Sequence, residues 1–423
     1  MADEKLLHAL SERGALSTEN GIRVVDASKL GSDRPIRKTK AKKLPPVETV
    51  ALSEPVSTPA PRPTEEVSEI PVLLPPDTIK ESIMADPEAP TGVGLDVGTS
   101  FLVAGRFESA TKIHFKKLRD CFLELEPKSP INQKFIKRGL DDRKAPYIEK
   151  DGSFFVLGED AFLMANERHV NTRRPMHRGV LSPTEKEAFP ILKELLKRIV
   201  GEPRVANEKL VFSVPAKPID ANFDQLFHQD MLRSFLKGLG FDAQPMNEAE
   251  ALAYSELLEE GLTGIAISCG AGMMNVAVMS SGDPVVTFST SRSGDWVDAQ
   301  AAIATNTTNS IVQQEKEGDT LDLANPDPSN QIHAAIAVYY GNLLVYTLEQ
   351  IAYDLSRSPA LPKFKDPIPL VVAGGTSLPK GFIEKFKQAL SVVNMPVTIR
   401  DVQHASDPLH AVANGLTLAA SMK

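Results

Sequence analysis

Val93-Gly94-Leu95-Asp96-Val97-Gly98-Thr99-Ser100 and Ile267-Ser268-Cys269-Gly270-Ala271-Gly272-Met273-Met274-Asn275 are two versions of one local pattern. Each follows a β-rich run and leads into another, Phe101 to Arg106 after the first and Val276 to Met279 after the second. A strand, a turn of small residues and a second strand aim backbone N–H groups at one point, which is how a chain grips phosphate. Two such turns predict two halves closing on one polyphosphate. The turns differ in charge, because Asp96 of the first is matched by Ser268 in the second.

Around these turns, short β runs alternate with helical ones. Ser153 to Leu157 and Lys209 to Val214 read as strands, and Phe189 to Val200 as an amphipathic helix. Leu226 to Leu239 reads as a helix closed by Gly240, and Gln331 to Ser356 as a long helical stretch. This alternation predicts an α/β architecture with substantial sheets. The echo of the Asp96 turn at Ser268 predicts a duplicated fold whose halves face each other. The stretch from Ser268 to Gly374 leaves the second half room for only a minimal small subdomain.

The chain of 423 residues is long enough for two cores, and 42% hydrophobic with 24% charged residues is ordinary for a globular protein. A net charge of −8 gives no general affinity for nucleic acid. Cys121 and Cys269, the two cysteines, are too few for a disulfide framework, and the eight histidines show no metal spacing. No apolar run approaches a membrane span, and Met1-Ala-Asp-Glu-Lys5 lacks the start of a signal peptide. The expected location is the cytoplasm, with any membrane association made through partners.

Composition changes sharply near residue 90. The first aromatic residue is Phe101, and the residues before 91 hold 12 of the 32 prolines. Without aromatics such a segment cannot bury enough apolar surface to offset the entropy of ordering. Residues 1–90 therefore read as a disordered, Pro-rich tail. Two islands interrupt it: Glu4 to Leu16, with Leu6, Leu7 and Leu10 on one helical face, and the six basic residues between Arg34 and Lys43. The first reads as a transient helix or a helix that docks on an unknown partner, and the second as a solvated run or a contact for an anionic lipid or an acidic partner. Removing residues 1–88 is expected to leave the thermal midpoint of the remainder nearly unchanged in a calorimetric scan. A drop of many degrees would show instead that the tail packs on the rest.

Three further segments follow in order. Asn247-Glu248-Ala249-Glu250 opens a helical run, Ser291-Arg-Ser-Gly294-Asp-Trp-Val-Asp298 lies after the second turn, and Pro369-Leu-Val-Val-Ala-Gly374-Gly375-Thr376 runs a strand into paired glycines. With Val214-Pro215-Ala216 and the two turns, this series resembles the actin-like ATPase superfamily over about Gly92 to Met422. Val156 to Ala161 and Arg174-Pro-Met-His-Arg-Gly179-Val180 are most similar to its filament-forming bacterial actins of the MreB and MamK type. The resemblance implies an actin-like fold of two duplicated lobes with a nucleotide cleft between them. The first lobe would span residues 91–246, with the phosphate-1 turn, and the second residues 247–423, with the phosphate-2 and adenosine motifs.

The resemblance also implies roles. Asp96 would hold Mg through water, and Glu248 would match the catalytic glutamate that positions the attacking water. Gly98, Thr99 and Ser100, with Gly270, Ala271 and Gly272, would cradle the phosphates of ATP or ADP. Gly294 would mark the turn after phosphate 2, and Gly374, Gly375 and Thr376 would lie against the nucleoside. Gln313, Gln314 and Lys316 are the side chains available beside the adenine. Arg173, Arg174 and Arg178 read as a charged surface loop or a filament contact. In the second turn Ser268 and Asn275 stand where the family pattern has acids, which implies retained nucleotide affinity and weak ATP hydrolysis. Returning Asp to both positions is then expected to raise phosphate release. The implied function is an ATP-dependent filament of copies of this chain; the alternative is a non-polymerising nucleotide-binding scaffold or adaptor like FtsA and PilM.

Overall fold

The computed structural model describes residues 16–19, 22–25, 89–222, 225–359 and 361–422. The chain divides into two units, Met1–Glu69 and Ile70–Lys423. In the first, Leu16–Glu19 (β1) and Ile22–Val25 (β2) pair antiparallel. The expected helix from Glu4 to Leu16 lies outside the described residues except for Leu16, which opens β1. The basic run from Arg34 to Lys43, and the rest of the expected disordered tail up to residue 88, also lie outside them.

In the second unit, Val93–Val97 (β3), Phe101–Phe107 (β4) and Ile113–Arg119 (β5) form an antiparallel meander. A small three-stranded sheet follows, made of Phe122–Leu125 (β6), Tyr147–Lys150 (β7) and Ser153–Leu157 (β8) in the order β6-β8-β7. Two helices accompany it. Pro130–Arg143 (α1) starts where the Ser129 hydroxyl accepts from the Asn132 amide with Pro at the first turn, and Gly158–Glu167 (α2) follows β8 directly. A two-residue pair, Met176–His177 (β9) and Val180–Leu181 (β10), then leads to Ala188–Val200 (α3). Ile191, Leu192, Leu195, Leu196 and Ile199 of α3 are buried, the stripe that amphipathic spacing requires. Lys209–Val214 (β11), Gln225–Gly238 (α4) and Asp242–Asn247 (β12) complete this half. Both β11 and β12 run parallel to β3, giving the order β12-β11-β3-β4-β5.

After Glu248–Glu256 (α5) the same wiring repeats. Gly264–Cys269 (β13), Met274–Ser280 (β14) and Asp283–Thr290 (β15) form a second antiparallel meander. Gly294–Thr305 (α6), Asn309–Glu317 (α7) and the 27-residue Gln331–Arg357 (α8) come next. Ile368–Ala373 (β16), Phe382–Val392 (α9), Ile399–His404 (β17) and Ala411–Ser421 (α10) close the chain. The second sheet has the order β15-β14-β13-β16-β17, with β16 parallel to β13 and to β17. Strand for strand this is the topology of the first sheet, so the echo between the two turns reflects a duplicated fold. Between β15 and α8 the second half carries only α6, α7 and a loop.

Two short helices lie between the sheets. Small side chains on the second sheet, Ala266, Ala277 and Ala373, share a core with Ala249, Leu252 and Ala253 of α5 and with Val412 and Leu416 of α10. On the first sheet, Gly94 and Gly105 leave room for Thr417 of α10, and a Cβ on either would fall inside 3.0 Å of its hydroxyl. Gly415 lets α10 cross α5 at backbone distance.

Candidate functional site

The tight antiparallel links β3–β4 and β13–β14 place equivalent turns at the ends of the two sheets. Gly98 N donates to Phe101 O at 3.1 Å, and Gly270 N donates to Met273 O at 3.0 Å. The turns touch: a Cβ on Gly272 would fall inside 3.0 Å of Thr99 Oγ1 and 2.9 Å from Gly179 N. The Thr99 hydroxyl accepts from Gly179 N at 3.0 Å, and the Ser100 hydroxyl accepts from Gln313 Nε2 at 3.2 Å. A phosphate between Thr99 and Gly272 therefore needs the turns to part.

The other expected residues gather behind the second turn. Gly270 O accepts from the Thr376 hydroxyl at 2.7 Å, from Gly294 N at 3.3 Å and from the Ser293 hydroxyl. Ala271 O accepts from Asp295 N at 2.8 Å, so the first amides of α6 are docked on this turn. Gly374 has φ of 94°, and a Cβ there would meet the Cys269 carbonyl inside 3.0 Å. That glycine is required by the protein's own backbone whether or not a nucleoside lies nearby. A Cβ on Gly375 would have room, meeting nothing nearer than Leu409 Cδ1 at 4.0 Å.

Beneath the turns lie two acids, a half-buried Asp96 and a buried Glu248. Asp96 Oδ1 accepts from the Ser213 hydroxyl at 2.8 Å, and that hydroxyl accepts from Val97 N at 2.7 Å. Glu248 opens α5, where the Asn247 side chain caps the amides of Ala249 and Glu250. It is not the solvated helix-end acid such a position usually holds, for only 8% of it is exposed. Burial raises both carboxyls above the usual range; the Asp96 charge raises Glu248 further, while hydrogen bonds from Ser268 and Asn275 oppose this. Ser268 Oγ donates to Glu248 Oε2 at 3.3 Å and Asn275 Nδ2 to the same oxygen at 2.8 Å. The charge of Asp96 acts on Glu248, and a pair of acids coupled in this way fits a divalent ion as its counter-charge. Among the described residues no group of three or more His, Cys, Asp or Glu is placed to hold a metal, so a magnesium reading rests on this pair.

Several groups take parts that the sequence did not assign to them. Ser213 precedes the Val214-Pro215-Ala216 segment and carries no motif of its own. Arg174 is no surface-loop residue: its guanidinium bonds Asp295 Oδ1 at 2.6 Å and Gln313 Oε1 at 2.8 Å. Arg173 is tied to Glu124 and Glu185. Arg119 joins Glu317 of α7 through both carboxylate oxygens, at 3.1 and 2.6 Å, and also Glu159 at 2.7 Å. Arg119 and Arg174 bridge the halves beside the touching turns, whereas both partners of Arg173 lie in the first half. Lys316 is buried against Asp298 at 2.7 Å, with its ammonium engaged there. Asp120, whose amide donates to Ser100 O at 2.8 Å, is fully buried with both carboxyl oxygens unpartnered, and burial holds its carboxyl well above the usual range. Only the folded arrangement reveals these roles, because charged residues in a polar loop look alike in sequence whether they face water or each other.

The structure is similar to a MamK double-helical filament, at 19% identity and a TM-score of 0.57, over 78% of this chain and 99% of that one. It is similar to MreB 5 of Spiroplasma citri bound to AMPPNP, at 18% identity and 0.53, over 78% of this chain and 96% of that one. The ADP-bound form of that protein matches at 18% identity and 0.51, with the same coverage of both chains. These likenesses show that the fold is the actin-like one. No curated protein sequence matches the chain. A family model described as Volactin matches residues 92–420.

Proposed function

The chain belongs to the Volactin family, and we propose that it is a nucleotide-binding actin-like protein that holds Mg-ATP or Mg-ADP between its halves, hydrolyses ATP slowly and assembles with copies of itself into filaments. The observation that carries this reading is the meeting of two equivalent turns, from two identically wired sheets, above a half-buried Asp96 and a buried Glu248. In it, the free amides of the turns at 98–100 and 270–272 would bind phosphate oxygens, with those of Gly98 and Gly270 kept for the turns themselves; Asp96 would hold magnesium through water, and Glu248 would orient the attacking water. Magnesium, when bound, would neutralise phosphate charge. Gly294, Gly374, Gly375 and Thr376 line the nucleoside side. The likeness to a protein solved as a filament, and to one solved with AMPPNP and with ADP, supports the same reading. No helix among the described residues is long and apolar enough to cross a membrane. Work in the cytoplasm, with any membrane contact made through partners, accords with this.

Calorimetry with millimolar Mg-ATP is expected to show binding, and Asp96→Ala to weaken it about tenfold or more, roughly 1.4 kcal/mol at least. The same substitution removes a like charge beside Glu248, so the thermal midpoint of the apo-protein should not fall. Absence of binding by the wild-type chain at millimolar nucleotide would overturn the proposal. Sedimentation with Mg-ATP separates the two assemblies: pelleted filaments support polymerisation, and nucleotide binding without a pellet leaves the adaptor reading.

A further inference from the structure

We infer that Asn275 is a positioning residue that fixes the carboxylate of Glu248 for the hydrolytic water, with Ser268 as its cross-strand assistant. This deepens the proposed ATP hydrolysis and rests on it. Asn275 is fully buried, and its amide is used at both ends. Its Oδ1 accepts from Ala216 N at 2.9 Å, in the segment that follows β11, and its Nδ2 donates to Glu248 Oε2 at 2.8 Å. One side chain on the second sheet thereby ties the first sheet's exit loop to the first residue of α5. Ser268 lies directly opposite Asn275 in the β13–β14 register and donates to the same Glu248 oxygen. Both donors land on Oε2 and neither reaches Oε1, so one carboxylate oxygen is anchored and the other is left to a water.

This arrangement reverses the sense of the departure from the family pattern. An aspartate at 275 could keep the Ala216 amide through one oxygen, but its other oxygen would face Glu248 Oε2 where a donor now stands. An aspartate at 268 would bring a third carboxylate to the same point. In the charged form of Glu248, which a cation at the site favours, like charges at that separation repel strongly, and the anchoring hydrogen bonds would be lost. Ser268 and Asn275 are the donors that a directly anchored glutamate needs. Restoring acids is therefore expected to slow phosphate release, against the expectation drawn from the motif alone.

The test uses the full chain with Mg-ATP and reads phosphate release, nucleotide affinity and thermal midpoint for wild type, Asn275→Asp, Glu248→Gln and the double variant. Asn275→Asp is expected to lower phosphate release about 100-fold while nucleotide affinity changes less than about threefold, the split expected of a loss confined to the transition state. Its midpoint should fall, and Glu248→Gln in the same chain should restore it, because a glutamine amide can donate to the new aspartate. Activity should not return in that double variant, and Asn275→Asp should cost little further release once Glu248 is gone, as expected of two residues acting as one unit. Wild-type release with an unaffected Asn275→Asp variant, or additive losses in the double variant, would overturn the positioning role while leaving the proposed function standing. Nucleotide binding by wild type without any phosphate release would overturn the role together with the hydrolysis it serves.

Discussion

Gly415→Ala is expected to destabilise the chain severely. The added Cβ would fall inside 3.0 Å of the Ala251 carbonyl oxygen and 2.6 Å from its carbon. Both are backbone atoms of a helix, so no side chain can rotate away. Moving α10 back is blocked on its other face, where Thr417 lies against Gly94 and Gly105 of the first sheet. Relief would require α5 and α10 to separate, and with them the small-residue core that joins the two sheets. Overpacking ordinarily costs 1–3 kcal/mol, and with backbone on both sides we expect about 3 kcal/mol or more. Gly139 supplies the control: it lies within α1, and a methyl group added there would meet nothing within 4 Å, so Gly139→Ala should be neutral or stabilising by up to about 1 kcal/mol through helix propensity. Urea or thermal midpoints of the pair decide it. A Gly415→Ala protein as stable as wild type would mean that α5 and α10 are not packed as described.

That contact also marks where reading the sequence stops. The strands Ser153–Leu157 and Lys209–Val214 form over the expected residues, and the long helix ends at Arg357, one residue beyond the expected Ser356. Local pattern sufficed there because strand alternation and helical spacing are properties of neighbours in the chain. The turns at Asp96 and Ser268 were legible for the same reason. Gly94 was not: quoted as part of a phosphate turn, it is glycine because Thr417 and the Ala413 carbonyl press on it from a helix at the far end of the chain. Glu248 shows the same limit. Its motif announced a functional acid, but its donors Ser268 and Asn275 read as losses of charge until the register of β13 and β14 set them on its oxygen. Arg174, an ordinary cation in a polar segment, gains meaning only from Asp295, which is 121 residues away.

Stability of the nucleotide-free protein is expected to fall as pH rises from about 5 to about 8, and Glu248→Gln is expected to flatten that decline. In the unfolded chain Glu248 ionises near its ordinary value of 4.5, whereas burial and the neighbouring Asp96 keep it protonated to higher pH in the fold. Between those limits the native state binds more protons than the unfolded one, so each unit of pH removes roughly 1.4 kcal/mol per proton of difference. Asp96 and Asp120 are raised by burial and act with the same sign, as does Asp298, pushed up to about 6. His228 acts the other way: burial lowers it to about 4, so its contribution is complete above 6.5 and is lost as pH falls from there. Glutamine at 248 can still accept from Asn275 and Ser268 but carries no proton equilibrium, and it frees Asp96 of its like-charged neighbour. The variant should therefore gain on wild type by several kcal/mol between about pH 5 and about pH 8, read from urea midpoints at fixed ionic strength. Parallel pH dependences for the two proteins would show that Glu248 ionises normally in the fold. A cation placed at the pair favours the charged forms, so saturating Mg-nucleotide should protect wild type more at the higher pH than at the lower, and protect Glu248→Gln with a weaker pH dependence.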